Sequence, residues 1–266
     1  MAESRSAAVR IAAVEKIYPN GTHALAPVDL TVAEGEFVTL LGPSGCGKST
    51  LLNMVAGLLA PSTGQIALWG GNAAEAEQSG HRLSFVFQEA TLMPWARVQA
   101  NVRLPLDLAQ VPRAAADARV TDALKQVGLE KFAGSLPREL SGGMQMRVSI
   151  ARGLVTQPTL LLMDEPFGAL DEITRNRLDS DLLALWQAKK LTVLFVTHSI
   201  YESVFLSNRV LVMAARPGRI VDEVVIDEPY PRAAGFRVST AFAGYAKRLQ
   251  DSLLRASAAN DDTALA

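Results

Sequence analysis

Residues 37–49 read Phe-Val-Thr-Leu-Leu-Gly-Pro-Ser-Gly-Cys-Gly-Lys-Ser, and the fold turns on this stretch. Phe37–Leu41 is an apolar run of strand-forming residues stopped by glycine, the pattern of a strand covered on both faces. Gly42, Pro43, Ser44, Gly45, Cys46, Gly47, Lys48 and Ser49 fit G-x-x-x-x-G-K-[ST], and Thr50 opens a helix-like continuation, Leu-Leu-Asn-Met-Val-Ala. In that order, strand, loop and helix form a phosphate cradle. Glycines let backbone N–H groups turn inward, and the helix N-terminus adds partial positive charge. Lys48 is placed to reach the β- and γ-phosphates of a nucleoside triphosphate, and the Ser49 hydroxyl to ligate Mg²⁺. A glycine-rich turn alone would carry little weight; the flanking strand and helix give it this reading.

Downstream, Leu160-Leu-Leu-Met-Asp164-Glu165 is a second buried run, ending in two carboxylates. Such residues fall at the C-terminal edge of a parallel sheet, where α/β folds bind ligands. Successive strand residues point to opposite sides, so the pair is expected to divide its roles. Asp164 would support the Mg²⁺ shell and Glu165 would face the attacking water. A carboxylate beside the γ-phosphate favours hydrolysis over transfer to a second substrate.

Further strands are expected at 65–69, 83–87, 193–197 and 210–213, with a helical block over roughly 101–155 punctuated by Pro105, Pro112 and Pro137. Strands alternating with helices argue for an α/β sheet with a helical insertion. No internal repeat is present. After about Pro229, Phe242, Tyr245, Leu249 and Leu253 recur at helical spacing, predicting one helix packed on the domain and a frayed tail at 260–266.

Composition narrows the function classes. A chain of 266 residues that is 49% hydrophobic can bury a large core, which excludes general disorder. Its net charge of −1 argues against a strong nucleic-acid footprint. Cys46 is the only cysteine, so neither an intrachain disulfide nor a cysteine zinc cluster can form, and three histidines make a multi-His site improbable. Neither a signal peptide nor a bilayer-spanning run is evident, and a cytoplasmic setting is expected. Cys46 precedes a helix N-terminus, a setting that lowers thiol pKa, which leaves nucleotide-protected alkylation open.

Leu140-Ser141-Gly142-Gly143-Met144-Gln145 adds a motif that most P-loop proteins lack. Ser141 reads as an N-cap for a helix from Met144 onward. With the phosphate loop, this resembles the signature of ATP-binding cassette (ABC) ATPases, over about residues 8–226. The resemblance implies a mainly parallel α/β P-loop core with an antiparallel β portion and an inserted helical subdomain. It places the ATPase domain at 1–228, the insertion at about 89–156 and a helical tail at 229–266. Its cofactors are ATP and Mg²⁺. By resemblance Tyr18 matches the aromatic stacking on adenine, and Gln88 the glutamine sensing Mg²⁺ and water. His198 matches the histidine contacting the γ-phosphate, and Asp171 the loop crossing to a second subunit. Glu165, His198 and Gln88 would carry catalysis; Ser49, Gln88 and Asp164 would hold the metal.

The family's geometry implies a head-to-tail dimer, with Ser141, Gly142 and Gly143 of one copy closing the ATP site of the other. Thr91-Leu-Met-Pro-Trp95, Glu172-Ile-Thr-Arg and Ala215-Arg-Pro-Gly-Arg219 look like the nitrate, sulfonate and taurine group of bacterial importers, which includes relatives serving thiamine-precursor pyrimidines. Many members carry Arg where this chain has Ala96. The implied partners are a second copy, integral membrane permease subunits and a periplasmic or extracellular substrate-binding protein, at the cytoplasmic face of the membrane, with no nucleic acid. Met93 and Trp95 are candidates for docking a permease helix, the alternative being a Trp95 buried in the insertion. A translation or DNA-repair ABC ATPase is the competing class, but such proteins usually carry paired cassettes or coiled-coil insertions, and this chain has neither. A nucleotide-binding module without turnover is countered by Glu165 and His198.

Overall fold

The computed structural model describes residues 6–233 and 235–264. The chain opens with β1 (Ala7–Ile17) and β2 (His23–Ala33), then β3 (Phe37–Leu41), α1 (Lys48–Val55), β4 (Thr63–Leu68), α2 (Ala73–Gln78) and β5 (Leu83–Val86). A helical stretch follows: α3 (Val98–Leu108), α4 (Arg113–Gln126) and α5 (Gly142–Leu154). Strand and helix then alternate through β6 (Leu160–Asp164), α6 (Glu172–Lys189), β7 (Thr192–Thr197), α7 (Ile200–Leu206), β8 (Arg209–Ala214) and β9 (Arg219–Val225), before α8 (Thr240–Ala264).

A six-stranded sheet has the order β5-β6-β7-β3-β8-β9, parallel except for the antiparallel β8–β9 pair. A three-stranded antiparallel sheet, β2-β1-β4, packs beside it. Strands β3 and β7 are buried at every position, which explains their unbroken apolar sequence. Side chains still alternate with period two. Phe37, Leu41, Met163, Phe195 and Val212 enter a core closed by α5, α6, α7 and α8. Val38, Leu40, Leu162, Val196 and Leu211 enter a second core, closed by α1 and the antiparallel sheet. A third core, around Val102, Val120, Leu124 and Val148, binds α3 and α4 to α5. The helical insertion is thus hung on the main sheet through one helix.

Strands β1, β2 and β9 were not foreseen individually, and two expectations change in detail. Pro105 lies inside α3 rather than ending it, whereas Pro112 caps α4 and Pro137 starts a 3-10 turn. Helix α8 continues to Ala264, beyond the fraying expected from residue 260; residues 265 and 266 lie outside the described residues. Phe242 and Leu249 of α8 are buried in the main core. Among the described residues, no helix is long and apolar enough to cross a membrane.

Candidate functional site

Four neighbouring parallel strands, β5, β6, β7 and β3, deliver their C-terminal ends to one edge of the sheet. Gln88 follows β5, Asp164 ends β6 with Glu165 next, His198 follows β7, and the Gly42–Ser49 loop follows β3. Residues far apart in sequence meet because parallel strands share one polarity. A cleft of about 420 Å³ opens there, lined by Tyr18, Ala24, Ser44, Gly45, Gly47, Lys48, Ser49, Thr50, Gln88 and Glu165. Tyr18 reaches it from the turn between β1 and β2.

Gly47 is the N-cap of α1 with φ +89°, a conformation that glycine adopts without steric cost, and this turns the loop into the helix. Lys48 is buried; its Nζ donates to the carbonyls of Gly42 (2.8 Å) and Pro43 (2.9 Å) and stands 3.6 Å from Glu165 Oε1. The Ser49 hydroxyl donates to Asp164 Oδ1 at 2.8 Å. Glu165 Oε2 and His198 Nδ1 are 2.9 Å apart.

Asp164 and Glu165 do separate, although strand alternation is only half the reason. Asp164 is the last residue of β6, whereas Glu165 has left the strand at φ +43°. That left-handed conformation costs a non-glycine residue on the order of 1 kcal/mol or more. It is held by the Glu165 N–H donating to Val196 O (2.9 Å) and by Gly168 N–H donating to Glu165 O (3.1 Å). The turn swings the carboxylate between Lys48 and His198.

Burial pushes the Asp164 carboxyl above its ordinary range, with Glu165 adding to the rise and Ser49 opposing it. A bound cation would favour its ionised form. Ser49, Asp164 and Gln88 offer only oxygen donors on the protein side, which suits Mg²⁺. Among the described residues no cluster of three or more His, Cys, Asp or Glu could hold a metal. An ion here would therefore draw most of its shell from phosphate oxygens and water, as Mg²⁺ commonly does.

Not every expected residue is brought to this cleft. Ser141 caps α5 by accepting from Met144 N (3.3 Å), and Asp171 caps α6 by accepting from Thr174 N (3.0 Å). The two caps are close to each other: a Cβ on Gly143 would stand 2.7 Å from Thr174 Cγ2, and one on Gly142 3.6 Å from Leu170 Cδ2. Neither Ser141, Gly142, Gly143 nor Asp171 lines the phosphate cleft of its own chain.

The sequence leaves the reactivity of Cys46 open. It is fully buried, and burial raises its thiol pKa above the usual value, outweighing the nearby Lys48. Trp95 is 77% exposed, which discards the alternative of a tryptophan buried in the insertion.

Several contributors escape motif reading. Buried Asn101 of α3 accepts from Met93 N (2.7 Å) and donates to Ala96 O (2.9 Å), pinning the loop that presents Trp95. Arg152 of α5 donates to Ala90 O (2.9 Å) and Thr91 O (2.8 Å), just after Gln88. Glu202 sits three residues after the N-cap Ser199, the spacing of a capping box. Its side chain instead turns inward to accept from the Thr197 hydroxyl. Only its burial could have disclosed that.

A phosphate loop, a carboxylate pair and a histidine at the edge of one parallel sheet, with an antiparallel sheet and a helical insertion, define a P-loop ATPase of the cassette type. The ABC transporter family profile matches residues 25–168. The chain belongs to that family, as an ATP-binding subunit with ATPase activity. It is 49% identical over 210 residues to a taurine import ATP-binding protein of Rhizobium johnstonii, covering 79% of this chain and 79% of that protein. It is 45% identical over 222 residues to an aliphatic sulfonates import ATP-binding protein of Bacillus licheniformis, covering 82% and 85%. A dimeric ATP-binding cassette solved in a post-hydrolysis state with ADP and Pi superposes with a TM-score of 0.73 at 33% identity, over 83% of this chain and 100% of that one.

Proposed function

We propose that this chain hydrolyses ATP at a head-to-tail dimer interface and thereby drives uptake of a small solute, in the chemical class of sulfonates, taurine, nitrate or thiamine-precursor pyrimidines. The observation that carries the catalytic part is Glu165, wedged between Lys48 (3.6 Å) and His198 (2.9 Å) at the mouth of the phosphate cleft. Glu165 acts as the base for the attacking water. His198 Nδ1 holds its Oε2, which orients the carboxylate and leaves Nε2 available to the γ-phosphate. Loop N–H groups and Lys48 take up charge on the phosphates, and Tyr18 stacks on the adenine. Ser49, Asp164 and Gln88 would hold Mg²⁺, which would supply positive charge to offset that of the phosphates.

The dimer reading is supported by what one chain lacks. Ser141–Gly143 forms an anion-friendly helix N-terminus away from its own cleft, where it can serve a partner. Among the described residues no helix is long and apolar enough to cross a bilayer, and the membrane-spanning part is assigned to permease subunits. Exposed Trp95, in the loop before α3, is the apolar side chain offered to a permease helix. The seat is then the cytoplasmic face of a membrane, with a binding protein delivering solute from outside. Within that range, taurine and sulfonates are the solutes that the import-type relatives support.

Glu165→Gln tests the base. Hydrolysis should fall about 100-fold or more, while ATP binding survives and an ATP-dependent dimer accumulates in size-exclusion light scattering. Unchanged turnover in that variant refutes the assignment.

A further inference from the structure

Beneath the catalytic edge lies a network of buried charges that the mechanism above does not use. Arg175, in the first turn of α6, donates to the carbonyls of Phe167 (3.3 Å), Gly168 (3.5 Å) and Leu170 (2.7 Å). Those carbonyls belong to the loop between Glu165 and Asp171. Arg175 Nε also lies 3.4 Å from Glu202 Oε1, and the other Glu202 oxygen accepts from the Thr197 hydroxyl. Thr197 precedes His198, and its Oγ1 accepts from Ser199 N (3.0 Å). One nearly inaccessible carboxylate thus ties the loop after the base to the backbone on both sides of the histidine.

A second carboxylate extends this unit. Asp179, one turn further along α6, is fully buried and pairs with Arg237 Nη2 at 2.7 Å. Arg237 stacks its guanidinium 3.6 Å over the Phe205 ring of α7. It belongs to the 3-10 turn Phe236–Val238 that leads into α8, outside the alternating core. Burial and then Glu202 push the Asp179 carboxyl up to about 7, while Arg237 and Arg175 draw it down. Without Arg237, two buried carboxylates would share one partly exposed arginine, a costly arrangement.

We infer that Glu202 is a positioning residue for hydrolysis, joining the 167–171 loop to His198 through Arg175 and Thr197, and that Arg237 makes the C-terminal segment part of this unit. Neither residue lines the phosphate cleft. They hold Glu165 and His198 in register, and they hold the loop that faces a second copy. This rests on the catalytic roles proposed for Glu165 and His198.

The test is steady-state ATP hydrolysis by the full chain, with ATP affinity and thermal midpoint measured on the same samples. Glu202→Gln and Arg237→Met should each lower kcat about 10- to 100-fold, with KM for ATP within about twofold of wild type. Arg237→Lys should keep most of the turnover. If Arg237→Met does not fold, Glu202→Gln and the Lys variant decide. Folded Glu202→Gln or Arg237→Met with wild-type kcat overturns the inference. So does a loss expressed mainly in KM. The two levels separate cleanly: an active Glu165→Gln fells the catalytic reading and this inference with it. A dead Glu165→Gln beside a normal Glu202→Gln fells the inference alone.

Discussion

Cys46 stands inside the phosphate loop, yet its side chain points away from the cleft into the core formed by α1 and the antiparallel sheet. Position ahead of a helix would make such a thiol acidic; burial acts in the opposite direction and dominates. The neutral thiol is the unreactive form, so raising its pKa lowers the thiolate fraction at neutral pH. Maleimide labelling at pH 7 should therefore be slow in the folded chain, rise only at alkaline pH, and become complete in denaturant. Rapid labelling of the native chain at pH 7, blocked by ATP, would show instead that the thiol faces the nucleotide. The contrast marks what is legible at this scale. Lys48, Ser49 and Asp164 could be placed from spacing because their chemistry requires one backbone geometry. The direction of Cys46 could not, because it depends on Gly42 and Met213 packing around it. Glu165 lies between these cases: its place at the end of β6 was legible, and its φ of +43° was not.

The strands that escaped individual notice have physical reasons for doing so. β1 carries register shifts between Ile11 and Val14 and a positive φ at Ala13, so its apolar alternation slips midway. β2 contains Pro27, tolerated because β2 is an edge of its sheet. β9 is also an edge, and of its residues only Val224 is buried. By contrast β3, β6 and β7 announced themselves through unbroken apolar runs, which only a doubly covered sheet requires. Pro105 misled for a related reason: a proline inside a helix is disfavoured in general, but α3 packs through Val98, Val102 and Leu106 strongly enough to carry it. Asn101 of the same helix does work that periodicity cannot reveal, bridging Met93 and Ala96 from a fully buried position. Asn101→Ala should orphan those backbone groups at a cost of about 1–3 kcal/mol each. Calorimetry should then show a Tm lower by several degrees, with ATP affinity retained because Asn101 is remote from the phosphate loop. An unchanged Tm would mean that the 93–97 segment is held by other contacts.

At the scale of the whole molecule, the cleft and the Ser141–Gly143 cap belong to different bodies, the main sheet and the helical insertion respectively. A head-to-tail pair sharing two sites predicts complementation between unlike defects. Lys48→Ala spoils the cleft of its own chain, whereas Ser141→Arg spoils the site of the neighbour. In a mixed pair both lesions fall on one site, and the other site combines an intact cleft with an intact cap. Random pairing makes about half of the dimers mixed, each with one sound site of two, so equal mixing should restore up to about a quarter of wild-type hydrolysis. Each parent alone should stay near background, because every site in a homodimer carries the same defect. The measurement is phosphate release after mixing the two purified variants, with subunit exchange allowed before ATP is added. A mixture no more active than the average of its parents would mean that each chain closes its own site. Recovery would instead assign the helical insertion a role that a single chain cannot express, and explain why its signature cap faces away from its own phosphate loop.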